Sequence, residues 1–295
     1  MAQPIFRGVA TALITPMHED GSVNLERLQT LVEEQIQKGV NALVACGTTG
    51  ESATLNHEEH VAVIRETISA AAGRVPVIAG TGSNDTRYAV ELSQEAERLG
   101  ADALLMVTPY YNKTSQDGLV AHYTQVADRV SLPIILYNVP SRTGTNIQPA
   151  TYARLAGHQN IAAIKEANGD LSAALKTMSL CGDQITLYSG NDDQTIPFFS
   201  IGGQGVISVF SNLAPDLMSQ MCSKYLSGDH DGALAMQKQY LALMEAMFCD
   251  VNPIPVKAAM NLAGMQAGPC RLPLVELSDD KKATLSRLMS EAGLL

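Results

Sequence analysis

Short apolar runs recur along the chain, each followed by a polar loop and then a stretch with helical spacing. The runs are Val9–Ile14, Ala42–Ala45, Val77–Ala79, Ala103–Val107, Ile134–Tyr137, Ile161–Ile164, Thr186–Tyr188 and Gly205–Val209. Most are continuously apolar rather than alternating, the pattern of strands buried on both faces of a parallel sheet. The segments between them carry helix start and stop signals. Asn24 opens a helix over Leu25–Lys38 that Gly39 closes, and Asn56 precedes the first-turn acids Glu58 and Glu59 of the next. A third helix, Asn84–Leu99, ends at Gly100, a residue suited to a left-handed cap. Strand spacing starts at about 30 residues, the scale of one βα unit, and shortens toward the end. Eight such units in succession predict an α/β fold, a (β/α)8 barrel of TIM type, with an open doubly wound sheet as the structural alternative. The eighth unit finishes near Leu226. Helical patterns over Gly232–Met247, Pro255–Ala263 and Ser278–Ala292 follow with no strand among them. Residues 1–226 are therefore expected to form the barrel and carry the active site, with residues 227–295 as a C-terminal helical extension.

Composition narrows the class of function. The chain has 295 residues, 46% hydrophobic and 17% charged, enough apolar material for a large core, which rules out intrinsic disorder. Lys+Arg 20 against Asp+Glu 30 gives a net charge of −10. Such an acidic chain is a poor partner for nucleic acid or an anionic membrane surface, although a small anion could still find a locally positive pocket. The cysteines Cys46, Cys181, Cys222, Cys249 and Cys270 are scattered and form no CxxC. They suggest neither a disulfide framework nor a zinc site, and fit a reducing compartment. The charge-free stretch 194–215 is broken by Pro197, Gly202, Gly203 and Gly205, so it is not read as a membrane span. The opening residues lack the charged head and apolar run of a secretory signal, and a cytoplasmic location is expected.

Chemistry is sought at the C-terminal ends of the strands, where barrel enzymes keep it. Lys165 ends the run Ile161–Ile164. A lysine at the mouth of an apolar barrel is partly desolvated, which disfavours the ammonium form, and a neutral amine attacks carbonyls to form a Schiff base. The competing reading pairs Lys165 with Glu166 or another acid. Tyr137 ends the preceding strand, so its phenol is placed to relay protons beside that amine, or else to be a core aromatic. Gly47-Thr48-Thr49-Gly50-Glu51 follows the second strand and suits a sharp turn that presents amides and hydroxyls to a carboxylate. It lacks the spacing of a P-loop. Arg142 is a candidate clamp for a second carboxylate, or an exposed loop arginine. His57-Glu58-Glu59-His60 spaces its histidines too closely for the HExxH zinc motif, and no metal site is expected. Gly80-Thr81-Gly82 and Gly202-Gly203-Gln204-Gly205 do not complete a dinucleotide fingerprint. Asn191-Asp192-Asp193 could bind a cation or a sugar hydroxyl, but is more economically read as the N-cap of the following helix.

Taken together, Gly47–Ser52, Pro109-Tyr110-Tyr111-Asn112, Tyr137–Gly144 and Ile164-Lys165-Glu166-Ala167 resemble the motifs of the pyruvate-dependent class I aldolases, in order and over the whole chain. The resemblance implies that Lys165 forms a Schiff base with pyruvate, whose enamine attacks L-aspartate 4-semialdehyde in the diaminopimelate route to lysine. It assigns a proton relay to Tyr137, Thr48 and Tyr111, with Tyr111 reaching in from a neighbouring subunit. Thr49 and the backbones of Gly190 and Ile207 would position pyruvate, and Arg142 would hold the semialdehyde carboxylate. It implies a homotetramer built as a dimer of dimers, and no metal or organic cofactor, the lysine itself serving as electron sink. Some relatives are inhibited by lysine at a subunit interface. Ser52, Ala53, His57, His60, Asn84 and Tyr110 agree with that site, whereas Tyr88 stands where inhibited relatives carry an acid. Weak or absent lysine inhibition is therefore expected. The alternative activity is cleavage of a sugar acid, as by N-acetylneuraminate lyase or a 2-keto-3-deoxy sugar acid aldolase; Arg142 and the Thr48-Thr49 pair favour the semialdehyde. A catalytically silent binding barrel is opposed by the intact Lys165, Tyr137 and Thr48.

Overall fold

A computed structural model describes residues 3–295 of the chain. The strands are β1 (Gly8–Ala12), β2 (Ala42–Ala45), β3 (Val77–Gly80), β4 (Ala103–Val107), β5 (Ile134–Asn138), β6 (Ile161–Glu166), β7 (Thr186–Ser189) and β8 (Gly205–Ser208). They pair in parallel in chain order, and β8 pairs with β1, so the sheet is a closed barrel and not an open one. Around it run α1 (Leu25–Gln37), α2 (His57–Ala71), α3 (Thr86–Leu99), α4 (Gln116–Ala127), α5 (Pro140–Thr143) and α6 (Pro149–Leu155). These are followed by α7 (Leu171–Cys181), α8 (Thr195–Ser200) and α9 (Pro215–Leu226). The last three helices are α10 (His230–Ala246), α11 (Ile254–Leu262) and α12 (Asp279–Glu291). None of the helices among the described residues is long and apolar enough to cross a membrane.

The continuous apolar runs have a simple cause. Alternate side chains on each strand enter two different cores. Ala10, Val44, Ile78, Leu105, Ile135 and Ala163 fill the barrel interior. Their neighbours Val9, Leu43, Ala79, Leu104, Leu136 and Ile164 pack outward against the helices. Period-2 geometry is intact, but both faces are buried, so no polar alternation is visible. Alanines alternate with branched and aromatic residues in the inner layers, a mix that fills a narrow barrel. The N-terminal end is closed by Phe6, whose ring stacks on that of Tyr188 with centroids 4.2 Å apart. The Tyr188 hydroxyl accepts from Phe6 N at 3.2 Å and donates to Phe6 O at 2.9 Å.

Element ends differ from the sequence expectation in ways that hydrogen bonds explain. β1 stops at Ala12, because Ile14 N turns to the Asn212 side chain at 3.0 Å instead of a neighbouring strand. β6 extends through Lys165 and Glu166, which stay in register with Tyr137 and Asn138 of β5. The cap of α3 is Asp85 and not Asn84: the Asp85 carboxylate accepts from Arg87 N, while the Asn84 amide is used on Tyr110 O. Asn56 and Glu59 form a reciprocal capping box on α2. The outer core runs unbroken into the C-terminal helices through Met244, Met247, Val256, Met260, Leu285 and Met289.

Candidate active site

Strand alternation decides which way each functional group of β6 points. Ala163 belongs to the inner core, so Lys165 also faces the barrel axis, whereas Ile164 and Glu166 face the helices. Lys165 is 5% exposed. Its Nζ lies 4.2 Å from the centroid of the Tyr137 ring, and β5 and β7 place Tyr137 and Tyr188 in register on either side of it. Among the described residues Nζ has no carboxylate partner. The alternative pairing with Glu166 is thereby excluded. Glu166 instead accepts from Asn138 Nδ2 at 3.0 and 3.1 Å, from the Tyr152 hydroxyl at 3.0 Å and from Asn168 N at 3.0 Å.

Burial pushes the Glu166 carboxyl up to about 7, outweighing those hydrogen bonds, which favour the anion. A folded-state pKa above the ordinary 4.5 means that ionisation costs stability. The cost is absent below the unfolded value, grows as pH rises and is complete above the folded value. Relative to Glu166→Gln, the parent chain is expected to lose up to about 3 kcal/mol as pH rises through this window. Urea midpoints of both proteins across pH measure it; a pH-independent difference would contradict it.

Gly190 supplies room beside the lysine. A Cβ there would lie 3.2 Å from Lys165 Cε, 3.0 Å from Glu166 O and 2.7 Å from Ala167 Cβ. Ile207, on β8, is fully buried in the inner core.

The loop after β2 is held from an unexpected direction. Thr48 is half-buried and Thr49 is 2% exposed. Thr49 Oγ1 accepts from Asn252 Nδ2 at 3.0 Å. Glu51 adopts left-handed backbone geometry, φ 55°, and its carboxylate accepts from Lys257 Nζ at 2.8 Å and Arg271 N at 2.9 Å. Lys257 Nζ also donates to Thr15 O at 3.1 Å and Pro269 O at 2.6 Å. The C-terminal segment thus clamps the turn that presents Thr48 and Thr49.

Arg142 is exposed on α5, a single turn begun by Pro140 and ended by Gly144 at φ 68°. Its Nη2 donates to Asn252 O at 3.3 Å. Thr48, Val139, Arg142 and Asn252 line a cavity of about 450 Å³. Lys165 and Tyr137 are not part of that lining. Ser52, Ala53, His60 and Tyr110, expected at a regulatory site, border the same cavity, as does Tyr88. His57 and Asn84 do not: His57 Nδ1 lies 3.3 Å from the Tyr88 hydroxyl, and Asn84 bonds Tyr110 O. His60 is buried with Nε2 2.8 Å from Gly80 O, and burial pushes its pKa down. His57 and His60 therefore have unrelated surroundings. Tyr111 is 92% exposed at φ 68°, apart from the other relay candidates within one chain.

The N-cap reading of Asn191-Asp192-Asp193 needs correction. No side chain of this group caps the following turn. Asp192 is buried and accepts from Val209 N at 3.0 Å and Phe210 N at 2.9 Å, bracing the turn after β8 instead.

Asn252, Lys257 and Arg271 went unnoticed in the sequence. A signal existed for Lys257, a lone charge in the apolar helix Ile254–Leu262. For Asn252 there was only an Asn-Pro step, which reads as a turn.

A closed barrel with a buried, unpaired lysine at its C-terminal mouth, flanked by a tyrosine and a Gly-Thr-Thr-Gly turn, defines a class: the aldolase barrels that work through a lysine. The comparisons narrow it. The profile of the Dihydrodipicolinate synthetase family matches residues 5–292, and the chain belongs to that family. A 4-hydroxy-tetrahydrodipicolinate synthase of Thermoanaerobacter sp. (strain X514) is 50% identical over 293 residues, 99% of this chain and 98% of its own length. The chloride-inhibited dihydrodipicolinate synthase of Acinetobacter baumannii, crystallised with pyruvate, is 43% identical with TM-score 0.96, covering 98% of this chain and 99% of that one. The enzyme from Cyanidioschyzon merolae, with lysine bound, is 39% identical with TM-score 0.96, covering 99% and 100%.

Proposed function

We propose that the chain condenses pyruvate with L-aspartate 4-semialdehyde to give 4-hydroxy-tetrahydrodipicolinate, through a Schiff base on Lys165. One observation carries the reading: a buried primary amine with no counter-ion among the described residues, its Nζ 4.2 Å from the Tyr137 ring centroid, at the mouth of a closed barrel. The amine adds to the ketone carbon of pyruvate, and loss of water gives the iminium. Loss of a methyl proton then gives the enamine, whose carbon attacks the aldehyde; the semialdehyde's own amine then adds to the Schiff-base carbon and expels Lys165, closing the ring of the product and freeing the lysine. Each step moves a proton, and Tyr137 on β5, beside Lys165, and Thr48 in the loop after β2 carry it. Thr49 and the space kept by Gly190, with Ile207 beyond, position pyruvate; Arg142 takes the semialdehyde carboxylate. Pyruvate in the Acinetobacter baumannii enzyme supports this choice of first substrate.

Tyr111 completes the relay from a neighbouring subunit of a homotetramer. Its 92% exposure on the isolated chain supports that arrangement. The barrel through residue 226 carries the lysine, and the extension, 227–295, contributes Asn252 and Lys257 to the same site. The test is borohydride reduction in the presence of pyruvate with peptide mass mapping, beside assays of semialdehyde condensation and of sialic acid cleavage. An adduct on Lys165 and turnover of the semialdehyde are expected. No adduct, or turnover of the sugar acid alone, would overturn the reading.

Lysine inhibition is expected to be weak or absent. Burial pushes the Tyr88 phenol above its ordinary value, so it stays neutral and offers no anion to an ammonium group. Tyr88→Glu is expected to raise lysine sensitivity, read as the inhibitory concentration of lysine in the steady-state assay. Strong inhibition of the parent chain by low lysine would contradict this.

A further inference from the structure

We infer that Asn252 is a positioning residue: its side-chain amide sets the Thr49 hydroxyl as a donor aimed at the pyruvate carboxylate. In this way the C-terminal extension, acting through a barrel residue, takes part in selecting for the acid group of the first substrate. The inference rests on the assignment of pyruvate to this pocket.

The argument starts from proton counting. A threonine hydroxyl has one proton to give and lone pairs with which to accept. Thr49 Oγ1 accepts from Asn252 Nδ2 at 3.0 Å, so its own proton must go elsewhere. Among the described residues Thr49 Oγ1 donates to no acceptor, and Thr49 is 2% exposed. A buried hydroxyl proton without an acceptor is costly, and a ligand carboxylate oxygen satisfies it with a charge-assisted bond. At the other end of the amide, Asn252 Oδ1 is buried and has no partner among the described residues. A hydroxyl both accepts and donates, so the Thr49 contact admits either orientation of the amide; with Nδ2 turned toward it, Thr49 keeps its proton for a ligand. Were the amide reversed, Thr49 would donate to Oδ1 and have no proton left for a carboxylate. The two arrangements predict opposite chemistry. The second link to Asn252 is independent of its side chain: Arg142 Nη2 donates to its backbone oxygen at 3.3 Å. The side chain thus acts on Thr49, and the backbone on Arg142.

Asn252→Asp is the discriminating variant. An aspartate carboxylate only accepts, so it captures the Thr49 proton and adds a negative charge next to the keto acid. The pyruvate concentration for half-maximal borohydride trapping on Lys165 is expected to rise at least about tenfold. KM for the semialdehyde is expected to change less than about twofold, since the backbone bond to Arg142 remains. Measured against the parent chain at each pH, the penalty on pyruvate is expected to shrink as pH falls, because a protonated carboxyl donates as the amide did. Thr49→Val removes the same proton, so Asn252→Asp in that background is expected to add only the penalty of its charge, less than it does alone. Should Asn252→Asp fold poorly, Asn252→Ala with and without Thr49→Val closes the same cycle. Unchanged pyruvate dependence in Asn252→Asp, or additive effects in the cycle, would overturn the inference while trapping on Lys165 in the parent chain upholds the assignment of pyruvate. Absence of trapping in the parent chain would instead overturn that assignment.

Discussion

A Lys165→Ala enzyme is expected to show kcat reduced at least about a thousandfold, with an unfolding midpoint close to that of the parent chain. The loss follows from removing the nucleophile: pyruvate can still occupy the cavity, but nothing attacks its ketone. Stability is spared because the lysine is 5% exposed and has no counter-ion among the described residues. Removing a buried amine that has no acidic partner among the described residues relieves a desolvation cost, which offsets the lost packing of its stem. Lys165→Arg separates charge from nucleophilicity. A guanidinium places a fixed positive charge over the Tyr137 ring, yet remains protonated and cannot add to a carbonyl. Equal loss in both variants, by steady-state kinetics and borohydride trapping, identifies the amine as the reacting atom. An arginine variant within tenfold of the parent rate would assign residue 165 an electrostatic role instead.

The second large effect is on stability. Lys257→Met is expected to cost about 3–5 kcal/mol, the range for leaving one half of a buried ion pair unmatched. The side chains of Lys257 and Glu51 are 2% and 1% exposed, so no solvent screens the orphaned carboxylate. Thr15 O and Pro269 O lose their donor in the same variant. Adding Glu51→Gln removes the stranded charge and is expected to recover a large part of the loss, although Arg271 N must then bond a neutral acceptor. Urea unfolding of the parent, both single variants and the double variant measures the coupling. A cost below about 1 kcal/mol for Lys257→Met, the level of an exposed pair, would mean that water reaches the carboxylate. The single variant is also expected to weaken pyruvate binding, because Glu51 anchors the turn that carries Thr48 and Thr49.

Eight apolar runs with capped helices between them make the barrel legible in the sequence, since strand order in such a fold follows chain order. Lys165 is legible for the same reason: an apolar run ends on a charged residue at the end of the sheet where chemistry collects. The sequence does not disclose the partition of neighbouring side chains between two cores. Without it, Lys165 and Glu166 read as a plausible pair, when one faces the axis and the other the Tyr152 hydroxyl. Cap assignment fails at Asn191, where a polar side chain has several backbone groups within reach and tertiary contacts choose among them. Asn252, Lys257 and Arg271 are invisible because their partners lie at the other end of the chain. The family motifs, being local strings, cover the residues facing substrate better than those that hold them in place.

That separation also bears on when the enzyme becomes an enzyme. The bonds that set the Thr48–Thr49 turn join positions 203, 206 and 220 residues apart. A chain emerging from the ribosome can pair its early strands long before residues 252–271 have been made, but it cannot yet hold that turn. Contacts of such high sequence separation are the slowest to form, so the catalytic pocket is among the last parts of the molecule to mature. A chain released early would carry Lys165 without a clamped Thr48–Thr49 turn.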